Sequence, residues 1–243
     1  MHHLRRTAFI FTVLAWAIPG GWAFPFAQPA VAEQMYWQKQ SVTFLGTTLD
    51  VNGEPIGIVA ELDISFRKQE GQEALNVTFA SGPGKFSPFT QVAIQSGIVS
   101  AARMAGLDPK SWNIFLKFPK PGVTIYGDSL TAMVSVVALA MANDNSILLN
   151  RVMTGKVTRD GHIGAVGGIP LKIQAAFAEH IPRVIIPDDR FPEDNDWETP
   201  FLMQISPVNT VLQAYQMLTG TTLPRAGKEK ASGLMVVHNT KEK

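Results

Sequence analysis

The chain has 243 residues, 46% of them hydrophobic, and 16 prolines, the range of a single globular domain with some excess at its ends. Its 21 basic and 20 acidic residues give a formal net charge of +1 and are interleaved along the sequence, so composition offers no basic face for nucleic acid. There is no cysteine, which removes a disulfide framework, a thiolate zinc site and a cysteine nucleophile together.

Residues 1–32 have the anatomy of a signal peptide. Arg5 and Arg6 precede a nearly all-apolar run from Ala8 to Ile18, which Pro19, Gly20 and Gly21 then break. The run falls well short of the roughly 20 apolar residues of a membrane span, and small residues follow it at Ala23 and at Ala30-Val31-Ala32. The expectation is export, to a periplasm or to the outside, with cleavage after Ala32 or after Ala23; left uncleaved, the segment would be a membrane anchor. Residues 33–49 read as an extension ahead of a domain spanning 50–220, and 221–243 as a flexible tail.

The stretches 41–66 and 73–80 are rich in Val, Ile, Thr and Phe and are punctuated by Asn52-Gly53 and Glu70-Gly71, which predicts hairpin strands. Ser87 as a cap, Pro88 at the first helical position and Gly106 as a stop bracket a helix. Trp112, Ile114, Leu116 and Phe118 alternate as in a strand with one buried face. Leu130, Met133, Val134, Val137 and Met141 recur at helical spacing, predicting a helix that starts at about Ser129 and buries one face. Beyond it come a short strand and turn at 151–158, a glycine-rich turn at 161–168, a helix over 170–180, a buried strand at 183–187, then a strand and a last helix closed by Gly220.

A serine at a helix mouth is ordinarily a cap. The same place holds an oxyanion well, because free N–H groups and the positive end of the helix dipole point out of the first turn. A nucleophilic serine also needs a base, histidine or, in a known variant, lysine. His2 and His3 fall in the signal segment and His238 in the tail, while His162 and His180 have no motif around them. Lys172 opens an amphipathic helix with Ile173, Ala176 and Phe177 and so begins at the edge of buried apolar surface. Desolvation there lowers a lysine from about 10.4 toward the 2 to 3 units less that a base needs, whereas a solvated helical lysine stays inert. Residue chemistry leaves both readings open.

Three motifs in register separate them. Gly127-Asp128-Ser129, Met153-Thr154-Gly155 and Gly167-Gly168-Ile169-Pro170-Leu171-Lys172 occur in order, with Ser129 and Lys172 43 positions apart. Together they resemble the proteolytic domain of the Lon proteases, peptidases with a Ser-Lys dyad, and the resemblance extends over roughly residues 50–220. It implies an α+β fold with mixed sheets and packed helices. By it, Ser129 is the nucleophile, Lys172 its general base, Thr154 a supporting hydroxyl near the lysine, and Asp128 either a group that orients Lys172 or one that favours the helix dipole. It also implies protein or peptide substrates and a homo-oligomer, a hexamer in the family.

This sequence departs from the family in carrying Leu130-Thr131 where many relatives have Ala-Gly or Ala-Ser, bulkier residues expected beside the oxyanion site, and Lys156 where an acidic residue often stands. Gly82-Pro83-Gly84-Lys85 lacks the spacing and the Ser/Thr of a phosphate-binding loop, and the glycines of 161–168 fail the dinucleotide pattern. No cofactor, metal, nucleotide or nucleic acid is expected. The function expected is an exported, ATP-independent serine endopeptidase acting on unfolded proteins or exposed segments; the alternative is a catalytically silent Lon-like module for oligomerisation or peptide binding.

Overall fold

The computed structural model describes residues 36–194 and 197–223. The expected signal segment and the tail beyond 223 lie outside the described residues. Strands β1 (Gln38–Leu49) and β2 (Pro55–Lys68) form one antiparallel hairpin in unbroken register, from Gln38 opposite Phe66 to Leu49 opposite Pro55. Its turn is set by Asp50, whose carboxylate accepts the N–H groups of Asn52 and Glu54, and by Gly53 at φ +84°. Most of the stretch expected as an extension is therefore β1, which buries Val42, Phe44 and Leu45.

The next elements are β3 (Asn76–Phe79), β4 (Lys85–Phe86), α1 (Pro88–Met104), β5 (Trp112–Lys117) and β6 (Thr124–Ile125). The second expected hairpin does not form: β3 pairs with β5 in parallel, and β5 lies antiparallel against β2, giving the order β1-β2-β5-β3. The more apolar β5 takes the central place, burying Trp112, Ile114 and Leu116. Asn113, on the face expected to be exposed, is buried too, and it is satisfied by the side chains of Gln69, Gln72 and Asn76. Helix α1 starts as its sequence predicts, with Ser87 Oγ accepting the Thr90 N–H at 3.2 Å.

Helix α2 (Thr131–Ala142) differs from its expectation in kind. All twelve of its residues are buried, so it is a central helix with no solvent face. Its side chains pack closely on α1 at Gly97, where an added Cβ would stand 2.9 Å from Ser135 Oγ. After it come β7 (Arg151–Met153), β8 (Lys156–Val157), β9 (Ile163–Gly164), α3 (Ile169–Ala178), β10 (Arg183–Pro187), β11 (Gln204–Val208) and α4 (Val211–Thr219). The strands β11-β10-β7 form a parallel sheet, and α4 is closed by a Thr210–Gln213 capping box and by Gly220 at φ +76°.

Mixed sheets with packed helices make the α+β fold expected. Two apolar clusters hold it together: a large one around α1, α2, α4 and the first sheet, and a smaller one under α3. Strand β7 serves both by alternation, sending Val152 to the smaller cluster and Met153 to the larger. The residues after Met153 are thereby carried to the boundary between the clusters.

Candidate active site

Ser129 sits in the tight turn between β6 and α2. Thr90 Oγ1, on α1, bonds the carbonyls of Ile125 at 3.2 Å and Gly127 at 2.9 Å, which fixes the entry to that turn. The Thr131 N–H then donates to the Asp128 carbonyl at 3.0 Å, and the helix begins at Thr131 with Leu130 as its N-cap. No side chain caps this helix. The helix thus starts two residues later than its apolar spacing predicts, and the half-buried Ser129 hydroxyl is left out of any capping role.

The backbone of this turn is locked to Gly155. The Gly155 N–H donates to the Ser129 carbonyl at 3.0 Å, and the Ala132 N–H donates to the Gly155 carbonyl at 3.1 Å. Only glycine suits that position: φ is +151°, and a Cβ would stand 2.8 Å from Ile163 Cγ2. The residue before it, Thr154, is fully buried, donates its N–H to Ile185 of β10 at 3.1 Å, and presents Oγ1 to Lys172.

Lys172 lies in the first turn of α3 and is 3% exposed. Its Nζ donates to Thr154 Oγ1 at 3.2 Å and to the Gly167 carbonyl at 2.8 Å. Burial pushes its pKa down to about 8, against the opposing pull of Asp194 and, more weakly, of Asp128. A neutral amine has two N–H groups and one lone pair, so these two bonds use both donors and leave the lone pair free to accept a proton. No hydrogen bond joins Lys172 directly to Ser129 among the described residues. They meet through Met153-Thr154-Gly155, in which Gly155 holds the serine backbone and Thr154 the lysine amine. Asp128 is near enough for its charge to act on Lys172, so all four residues expected at the site belong to one locality.

Two close approaches position the turn that bears the lysine. A Cβ on Gly57 of β2 would stand 2.0 Å from the Leu171 carbonyl oxygen, and one on Gly168 would stand 2.8 Å from Thr47 Cγ2 of β1. The hairpin therefore lies directly against the start of α3. That start has an unusual cap. Gly168 occupies the N-cap position with no side chain to offer, and the Ile169 N–H donates instead to Asp194 Oδ1 at 3.0 Å. Sequence reading missed Asp194; its only signal was a run of acidic residues after β10, and nothing in their spacing says which one turns inward.

Leu130 and Thr131, the bulkier residues after the serine, both turn inward. Leu130 packs into the large core, and Thr131 is buried with Oγ1 accepting the Val157 N–H at 3.0 Å. The two histidines among the described residues lie elsewhere: His162 Nδ1 is 2.9 Å from Asp160 Oδ2 at the surface, and His180 follows α3 at φ +56°.

Comparison with known proteins shows the family. The profile of the family described as Lon protease (S16) C-terminal proteolytic domain matches residues 70–213. The chain is 25% identical over 173 residues to an archaeal Lon protease of Archaeoglobus fulgidus, covering 68% of this chain and 27% of that protein. It is 26% identical over 173 residues to the archaeal Lon protease of Thermococcus kodakarensis, covering 70% and 26%. Lon protease 2 of Borreliella burgdorferi is 34% identical over 80 residues, 33% of this chain and 10% of that one. The match thus spans about a quarter of the length of the two archaeal relatives.

Proposed function

We propose, since this chain belongs to the family of Lon protease (S16) C-terminal proteolytic domains, that it is an exported, ATP-independent serine endopeptidase acting on unfolded proteins or exposed segments. The observation that carries this reading is a buried lysine amine titrating near 8, one hydrogen bond from the turn that pins the Ser129 backbone. In the proposed first step Lys172 Nζ takes the Ser129 Oγ proton while Oγ adds to the peptide carbonyl carbon. The Thr131 and Ala132 N–H groups are already committed, so the oxyanion donors are assigned to the amides of Ser129 and Leu130. The intermediate then collapses, and the departing amine takes the proton back from the Lys172 ammonium. Water completes the cycle by the same route: Lys172 accepts its proton, hydroxide adds to the acyl ester, and Ser129 leaves with the proton returned. Thr154 orients Nζ through Oγ1, and Asp128 favours the charged form of the amine.

The remaining parts of the proposal rest on sequence. Export rests on the Arg5-Arg6 and Ala8–Ile18 pattern, and nucleotide independence on the absence of phosphate-loop spacing at Gly82–Lys85. A homo-oligomer, hexameric by resemblance, is part of the same proposal. The alternative is the catalytically silent Lon-like module for oligomerisation or peptide binding. The test is cleavage of casein without nucleotide by the parent chain, Ser129→Ala and Lys172→Ala. Activity in the parent alone, with the variants folded, supports the peptidase; an inert parent across pH 7 to 10 and several unfolded substrates supports the binding module.

A further inference from the structure

Among the described residues the proposed mechanism leaves one buried carboxyl group unused. Asp194 is 4% exposed, and while Oδ1 accepts the Ile169 N–H, Oδ2 has no partner among the described residues. A buried carboxylate oxygen without a donor is costly and asks for an explanation. Capping alone does not supply one, since serine, threonine or asparagine would cap as well without burying a charge. The placement is built: Pro192–Asp194 forms a 3-10 turn closed by the Asp194 N–H to Phe191 carbonyl bond at 2.9 Å. Just outside it, the Arg190 guanidinium stacks over the Trp197 ring, 4.8 Å from its centroid, and Trp197 packs on the smaller core.

We infer that Asp194 is a positioning residue for Lys172: one carboxylate oxygen fixes the first turn of α3, and the other is the standing counter-charge for the ammonium that Lys172 becomes on taking the Ser129 proton. The inference rests on the proposed Ser129 and Lys172 roles. Lys172 lies three residues after Ile169, one helical turn from the bond that Asp194 makes. When the proton moves from Ser129 Oγ to Nζ and the Oγ–C bond forms, Lys172 gains one positive charge and the carbonyl oxygen one negative charge. The attraction of the Asp194 carboxylate for Lys172 is present in the transition state and absent while the amine is neutral, which is the differential interaction that speeds a reaction. The charges that act on Lys172 come from Asp194 first and Asp128 second. Lys39 on β1, Glu61, Asp63, Arg67 and Lys68 on β2, and Arg183 on β10, the strands packed against α3, are not among the groups that perturb it.

The experiment is NMR titration of the [ε-13C]lysine-labelled full chain, with the Lys172 resonance assigned by its loss in Lys172→Met, beside the pH profile of kcat/KM for casein-derived peptide cleavage. Asp194→Asn keeps an acceptor for the Ile169 N–H and removes the charge. The Lys172 titration is expected to move down by about half a unit or more, with the rising limb of kcat/KM moving with it and kcat at high pH falling about tenfold. Asp194→Glu is expected to hold the parent titration, and Asp128→Asn to shift it less than Asp194→Asn. Thermal unfolding at pH 9 checks that each variant is folded, and Asp194→Ser replaces Asp194→Asn if that variant is not. A Lys172 titration unmoved in Asp194→Asn overturns the inference whatever proteolysis does. A titration that moves while the rate profile stays put supports the hold of Asp194 on Lys172 and counts against Lys172 as the base.

Discussion

Replacing Lys172 with methionine tests the burial of the amine through stability, with no appeal to catalysis. The folded chain releases the Lys172 proton near pH 8, whereas the ordinary value is 10.5. Between these values the unfolded chain binds a proton that the folded chain has lost, so stability of the parent rises with pH. The stabilising contribution is complete above the unfolded value and is lost as pH falls through the folded one. Each unit of separation is worth about 1.4 kcal/mol, so the penalty below pH 8 is about 3 to 4 kcal/mol, and about 2 to 3 kcal/mol of it is recovered between pH 7 and pH 10. Methionine has a similar reach and no charge. It leaves Thr154 Oγ1 and the Gly167 carbonyl without the lysine donor, a cost that does not depend on pH in this range. The quantity to measure is therefore the difference between parent and variant at each pH, from urea unfolding followed by the fluorescence of the chain's five tryptophans. The parent is expected to gain about 2 to 3 kcal/mol on Lys172→Met from pH 7 to pH 10. Parallel stability curves would refute the reasoning, because they would mean that Lys172 titrates alike in both states.

Ser129→Ala is expected to change stability by less than about 0.5 kcal/mol, since this hydroxyl caps nothing; a loss of 1 to 2 kcal/mol in urea unfolding would return Ser129 to the role of a cap. Thr154→Val keeps the buried shape and removes the Oγ1 acceptor of Lys172, so kcat should fall about ten- to a hundredfold with little change in KM; undiminished kcat would show that Thr154 serves only the turn. Gly57→Ala places a methyl where the Leu171 carbonyl stands and is expected to cost about 1 to 3 kcal/mol in thermal unfolding and to lower kcat/KM. An unchanged melting temperature would mean that β2 does not set the position of α3.

The sequence carried the local signals well and the long-range ones poorly. Ser87, Pro88 and Gly106 bracket α1, and Gly220 closes α4, because caps and stops are written within a few residues of their effect. Which strand lies beside which is not written locally. Gly71 turns the chain as expected, yet β3 lies across β5 because the apolar β5 takes the central place. The start of α2 misled apolar periodicity because Leu130 packs into the core from outside the helix. At the site, Ser129, Thr154, Asp128 and Lys172 were legible through motifs in register. Asp194 was not, since its inward turn depends on a short 3-10 segment and on a glycine that leaves α3 without its own cap. The inward turn of Leu130 and Thr131 was hidden for a similar reason: side-chain size is visible in a sequence, and side-chain direction is not.

The most direct measurement is to treat the chain with a fluorophosphonate and locate the adduct by mass spectrometry at pH 7, 8 and 9, in the parent and in Lys172→Met. The reading of Ser129 as a nucleophile activated by Lys172 requires a single modified serine at 129, formed about five- to tenfold faster at pH 9 than at pH 7, as a base titrating near 8 becomes neutral. It also requires that labelling nearly vanish without the lysine. Labelling elsewhere, or equal labelling of Ser129 in parent and Lys172→Met, would contradict it.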